Sequence, residues 1–187
     1  MKVLKFGGTS VGSAAGIENI RNIISGLPGS KLLVLSAMSG VTNSLVEISS
    51  KVKDSEFGEI NDRLNELRNK HFGLIDQLIP EPDSNTKIKR HIESIFAELG
   101  GLCYETWTLE TDARILTTGE SLLTFIFSSF LKYKGIGNTL LNAKDFMHVD
   151  NLENPDTVHI GELLNDTLRS SEDNEILITQ GFLRINA

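Results

Sequence analysis

The sequence predicts an α/β fold, a mostly parallel sheet with helices on both faces, and three observations carry that prediction. Two short runs, VLKF (3–6) and LLVL (32–35), are dense in apolar residues, and the second lacks polar alternation, as expected of a strand covered on both faces. Between them Ile17, Ile20, Ile23, Ile24 and Leu27 recur at helical spacing until Pro28 and Gly29 stop the run. Farther along, helical patterns alternate with two more strand-like runs, TLLNA (139–143) and EILITQ (175–180), so that helices separate all the strands.

The elements follow in order. After the strand at 32–35 a helix is predicted from Ser44 towards Lys53. Ile60, Leu64, Leu67, Leu74, Ile75 and Leu78 mark a longer helix that ends before Pro80 and Pro82. Ile88, Ile92, Ile95, Phe96 and Leu99 mark another, predicted to stop at Gly100 and Gly101; together these two form a helical insertion at about 57–110. A helix from Ser121 to Lys134, closed by Gly135, and one near 161–170 complete the set. The last strand leads into GFLRINA with no helix to cover it, so the sheet is expected to be incomplete at its C-terminal end and the chain to be part of a larger domain.

Composition narrows the function. Apolar residues make up 40% of the 187 positions and charged residues 23%, an ordinary globular balance. The 25 acidic against 18 basic side chains give a net charge of −7, and the basic residues do not cluster, which argues against a nucleic-acid partner. The apolar runs, LLTFIF (122–127) included, fall far short of the roughly 20 residues a bilayer span needs, so no membrane is involved. Cys103 is the sole cysteine, and Met1 leads directly into a strand-like run; both fit a reducing cytoplasm. His71, His91, His148 and His159 show no metal-ligand spacing, and Cys103 has no CxxC partner, so no metal site is expected.

The opening carries the chemistry. A strand ends in Lys5-Phe6, turns at Gly7-Gly8, and continues through Thr9 and Ser10 towards a helix. Glycine lets the backbone approach an anion, a helix N-terminus offers unpaired N–H groups, and Lys5 adds a full positive charge, a combination suited to phosphate. No Gly-Lys dipeptide occurs, which excludes the P-loop, and no Gly-x-Gly-x-x-Gly follows a strand, so a nicotinamide cofactor is not indicated. A glycine turn with a Thr or Ser helix cap and a solvated Lys5 accounts equally well for these residues taken alone.

The string KFGGTSV (5–11) resembles the signature of aspartate kinases, within the amino-acid kinase superfamily, and LSAMSGVTN (35–43), LTTGE (116–120) and ITQGF (178–182) resemble further motifs of that family in the same order. The resemblance implies the amino-acid kinase α/β/α sandwich and transfer of the γ-phosphoryl group of ATP, with Mg2+ carried on the nucleotide, to the side-chain carboxylate of L-aspartate. That step leads towards lysine, threonine and methionine. By the same resemblance Lys5 is catalytic; Lys5, Gly7, Gly8, Thr9 and Ser10 bind the nucleotide phosphates; and Ser36, Thr42, Glu120 and Phe182 bind aspartate. Each substrate residue also has a structural account: Thr42 or Asn43 as a helix cap, Ser36 as a strand-end hydroxyl, Glu120 as a first-turn carboxylate, Phe182 as core. The stretch DAR (112–114) reads as a helix-connecting ion pair.

The family's Gly-Arg-Gly-Gly-Ser-Asp segment, its adenine-binding part and its regulatory ACT domains have no counterpart here. Residues 1–187 are therefore expected to form the N-terminal, substrate-binding lobe of the catalytic domain, inactive alone, within a full-length protein that the resemblance implies is a homo-oligomer. The alternatives are an amino-acid kinase acting on glutamate or N-acetylglutamate, or a non-catalytic ligand-binding fragment.

Overall fold

The computed structural model describes residues 1–147, 156–170 and 176–181. The chain runs β1 (Lys2–Phe6), α1 (Ala14–Ser25), β2 (Lys31–Leu35), α2 (Val41–Lys53), α3 (Ile60–Leu78), α4 (Pro82–Leu102), α5 (Leu109–Tyr133), β3 (Thr139–Leu140), α6 (Thr157–Ser170) and β4 (Ile176–Gln180). The strands form one parallel sheet in the order β1-β2-β4-β3, with Val3 beside Leu32 and Leu32 beside Leu177. Side chains alternate across it. Leu33, Leu35, Ile176 and Ile178 face a large core shared with α1 to α5, while Leu32 and Leu177 face a smaller one closed by Leu163, Leu164 and Leu168 of α6. The result is a three-layer α/β/α sandwich.

Several boundaries differ from the sequence reading, each for a local reason. Helix α5 begins well before Ser121, because Thr108 caps it by accepting from the Thr111 amide at 3.0 Å and Glu110 and Asp112 occupy its first turn. Its hydroxyls are absorbed by the helix: Thr117, Thr118 and Thr124 donate to the carbonyls of Ala113, Arg114 and Glu120 at 2.8–2.9 Å. Glu120 therefore lies mid-helix rather than in a first turn. Helix α2 starts at Val41 instead of Ser44, behind Gly40, whose φ of 81° is a left-handed conformation that favours glycine. Helix α4 runs through Gly100 and Gly101 because buried Leu99 and Leu102 hold its last turn. β3 is short: beyond Leu140 the Asn142 side chain accepts from the Lys144 amide and turns the chain away.

Helices α3 and α4 pack on each other and on α5 as a hairpin on the outer side of the large core. Glu81 caps α4 through the Asp83 and Ser84 amides, with Pro82 at its first position. Arg114 pairs with Glu98 at 3.5 Å and Glu105 at 3.7 Å, the helix-connecting role expected of it. Asp112, by contrast, is buried and accepts from Ser49 Oγ at 2.7 Å, which in turn accepts from Trp107 Nε1.

His71 is fully buried in this hairpin. Its Nδ1 donates to the Leu67 carbonyl at 2.7 Å, and among the described residues Nε2 meets no partner. Burial pushes its pKa from 6.5 down to about 4. Because the folded pKa lies below the unfolded one, the neutral ring is compatible with folding above pH 6.5, and stability is lost as pH falls towards 4. Between pH 7 and 5 the native protein should lose about 2 kcal/mol more than His71→Leu does. Urea unfolding at several pH values measures this, and parallel profiles would contradict a buried neutral imidazole.

Candidate functional site at the carboxyl edge of the sheet

Parallel pairing brings the C-terminal ends of β1, β2 and β4 to one edge, where α/β sheets place ligands. The ladder continues past the strands. The Ser36 amide donates to the Phe6 carbonyl at 3.1 Å, and the Gly181 amide donates to the Leu35 carbonyl at 3.2 Å. Three of the four motifs singled out in the sequence thus meet as neighbouring strand ends, and the fourth, LTTGE, lies on α5 beneath them.

Lys5 is the penultimate residue of β1, exposed, and shares a sheet face with Val34 and Thr179. Gly7 and Gly8 follow. The Gly7 carbonyl accepts from the amides of Ser10 at 2.9 Å and Val11 at 3.3 Å, which closes the turn, and Val11 is fully buried and anchors it. Space favours glycine at position 8: a Cβ there would stand 3.0 Å from the Ala37 carbonyl oxygen. A Cβ at Gly7 would meet nothing within 4 Å, so the space beside its α-carbon is open to a ligand. Thr9 and Ser10 are exposed within the loop and do not cap α1; Ser13 does, accepting from the Gly16 amide.

The loop after β2 packs against that turn, with the Ser39 amide donating to the Gly8 carbonyl at 3.2 Å. Ser36 is half-buried at its start. At its end Gly40 begins α2; among the described residues no side chain caps it, the Val41 amide bonds to the Met38 carbonyl at 3.0 Å, and the partial positive charge of the helix N-terminus lies at the end of this loop. Thr42 is exposed in that first turn. It is not the cap; Gly40 occupies that position.

Glu120 approaches from α5 and is only 6% exposed. Its Oε2 accepts from the Gly181 amide at 2.7 Å, which fixes the carboxylate against the end of β4. One helical turn on, Thr124 Oγ1 accepts from Gln180 Nε2 at 2.9 Å, and Gln180 Oε1 accepts from the Ala143 amide at the same distance. Phe182 lies outside the described residues. The sequence reading left Gly40, Gly119, Gln180 and Gly181 without roles; Gly119 fell before the helix predicted from Ser121, and only its place inside α5, where glycine costs about 1 kcal/mol relative to alanine, calls for a packing reason.

One edge therefore carries an exposed cation, an open glycine turn, an uncapped helix N-terminus and hydroxyls, all suited to anions, beside a buried carboxylate suited to an ammonium group. Other chemistries find less. Burial pushes the Cys103 thiol up to about 11, away from the reactive thiolate. Among the described residues no group of three or more His, Cys, Asp or Glu could hold a metal ion, and no helix is long and apolar enough to cross a membrane.

The profile of the amino acid kinase family matches residues 1–187. The lysine-sensitive aspartokinase 3 of Escherichia coli K12 is 27% identical over 97% of this chain and 40% of its own length. The chloroplastic aspartokinase 2 of Arabidopsis thaliana is 27% identical over 97% of this chain and 34% of its own. The crystal structure of E. coli aspartokinase III in complex with aspartate and ADP superposes with a TM-score of 0.82 at 25% identity, covering 97% of this chain and 40% of that one. The chain thus spans two-fifths or less of these relatives.

Gly119 faces α2 and the loop before it: a Cβ there would stand 2.9 Å from Val41 Cγ1, 3.0 Å from Ala37 Cβ and 3.1 Å from Leu45 Cδ1. Gly119→Ala should gain about 1 kcal/mol of helix propensity and lose about 1–3 kcal/mol to overpacking. A net loss is expected, visible as a Tm lowered by a few degrees. A raised Tm would show that α2 can move away at no cost.

Proposed function

The chain belongs to the amino acid kinase family, and from that premise we propose that its protein is an aspartate kinase, transferring the γ-phosphoryl group of ATP to the side-chain carboxylate of L-aspartate. Residues 1–187 form the N-terminal, substrate-binding lobe of that enzyme's catalytic domain, with the α3–α4 hairpin as an insertion, in a cytoplasmic protein. The observation that carries the reading is the meeting at one sheet edge of the Lys5–Gly8 turn, the Ser36 loop and the buried Glu120 carboxylate. The aspartate and ADP held by the E. coli structure support the same substrate classes.

The chemistry asks for charge management more than proton transfer. An aspartate side chain has a reference pKa near 3.9, so the nucleophile is ionised at neutral pH without a base. Its approach to a triphosphate costs about 4 kcal/mol per pair of like charges roughly 4 Å apart at an effective dielectric near 20. Lys5 and the Gly7–Gly8 backbone offset that repulsion as charge develops on the transferred group. Thr9 and Ser10 hydroxyls extend the phosphate contacts. The open space beside Gly7, exposed Lys5 and uncapped α2 fit a polyphosphate, and magnesium, arriving on the nucleotide, would supply further neutralisation of phosphate charge. On the acceptor side Glu120 pairs with the ammonium, and Ser36 and Thr42 donate to carboxylate oxygens.

Glu120 also discriminates between acceptors. Aspartate and glutamate carry a free ammonium, whereas N-acetylglutamate does not, and a buried carboxylate facing an acetamide gains no charge pairing. The full-length protein should therefore phosphorylate an acceptor with a free ammonium group, which we propose is aspartate, and reject N-acetylglutamate. Turnover of N-acetylglutamate alone would reassign the acceptor.

Two substitutions in the full-length protein separate the roles. Lys5→Ala should lower kcat at least 100-fold, the scale of removing one strong electrostatic donor, about 3 kcal/mol, with aspartate KM changed far less. Glu120→Gln keeps an oxygen for the Gly181 amide but loses the charge, and should chiefly raise aspartate KM while ATP KM holds. Near-normal turnover by the first, or a loss of ATP rather than aspartate affinity in the second, would refute the corresponding assignment.

A further inference from the structure

Among the candidate site residues none comes from α3, yet one α3 side chain reaches the site. Lys70 Nζ donates to the Ser39 carbonyl at 2.6 Å, joining residues 31 positions apart. Ser39 stands in the middle of the loop that begins with Ser36 and ends in the first turn of α2. Its amide donates to the Gly8 carbonyl at 3.2 Å, the Val41 amide closes on Met38 at 3.0 Å, and Gly40 between them is left-handed. The backbone at Ser39 is gripped at its amide by the glycine turn and at its carbonyl by Lys70.

We propose that Lys70 is a positioning residue of the acceptor site, holding the Ser39–Gly40 turn so that Ser36, Thr42 and Gly8 keep their mutual spacing. The geometry favours this over incidental surface contact. Leu67, His71 and Leu74 flank Lys70 on α3 and are buried, so the helix is fixed and the lysine leaves it from a rigid base. Nζ lies close enough to Gly40 that a Cβ there would be 3.7 Å away, which leaves the ammonium seated against the bare backbone of the turn. The bond is exposed, so water replaces it when it is lost; what changes is the freedom of the loop more than the stability of the fold.

The inference rests on the proposed kinase function for its kinetic readout but not for its structural one. In the full-length protein Lys70→Met should raise aspartate KM about fivefold, the factor that one exposed charge-assisted bond supports, with kcat nearly unchanged and Tm within about 2 °C of native. Amide exchange over residues 38–42 should quicken, and Lys70→Arg, which can donate to the same carbonyl, should restore both readouts. Unchanged exchange and KM in Lys70→Met would overturn the proposal, as would a large fall in Tm with no selective change in KM. If the native protein phosphorylates no amino acid the kinase reading falls, while the exchange at 38–42 and its rescue by arginine still decide whether Lys70 holds the turn.

Discussion

The architecture of the candidate site depends on one backbone amide. Gly181 N–H points at both the Leu35 carbonyl, at 3.2 Å, and Glu120 Oε2, at 2.7 Å, so a single donor ties β2, β4 and α5 together where the sheet ends. The carboxylate can then remain in a nearly buried place because an N–H group meets it there, in an environment where an unmet charge would cost several kcal/mol. Gly181 also fits sterically: a Cβ would come within 3.1 Å of Val34 Cγ1. Gln180 repeats the attachment one turn along α5 through Thr124, so the helix is held at two successive positions.

From that fixed point the rest of the edge follows by close approach. Gly119, adjacent to Glu120, lets α2 and the preceding loop come within contact distance of α5. The loop then reaches Gly8 through the Ser39 amide, and the glycine turn is set against β2. A Cβ at Gly12 would in turn meet the Gly8 carbonyl oxygen at 2.9 Å. Gly8 spaces one backbone from another, Gly119 and Gly181 make room for neighbouring side chains, and Gly7 is the one whose open surroundings suit a ligand.

The fold was legible because its signals are local. LLVL, the isoleucines of α1 and the leucines of α3 announce their elements through the spacing of apolar residues, and the parallel sheet follows from their alternation. The start of α5 was not legible from the apolar pattern, since LTTGE combines two β-branched residues with a glycine; the helix there is held by the Thr108 cap and by hydroxyls bonding back to carbonyls. The candidate site residues were named from the order of the motifs. The bonds that position them were not legible, because Gly181 to Glu120 spans 61 residues and Lys70 to Ser39 spans 31, and no local pattern encodes contacts between such distant positions.

The same separation divides the work within the proposed enzyme. Glu120 is held by backbone and shielded from water, so its attraction for an ammonium group acts in a medium of lowered effective dielectric. Lys5 is exposed. In bulk water its attraction for a charge 4 Å away is only about 1 kcal/mol, rising to about 4 kcal/mol at an effective dielectric near 20. A residue that must stabilise developing charge on a phosphoryl group therefore gains its strength only as bound substrates exclude water around it. Within the proposed enzyme, catalysis depends on the surroundings that substrates themselves create around Lys5.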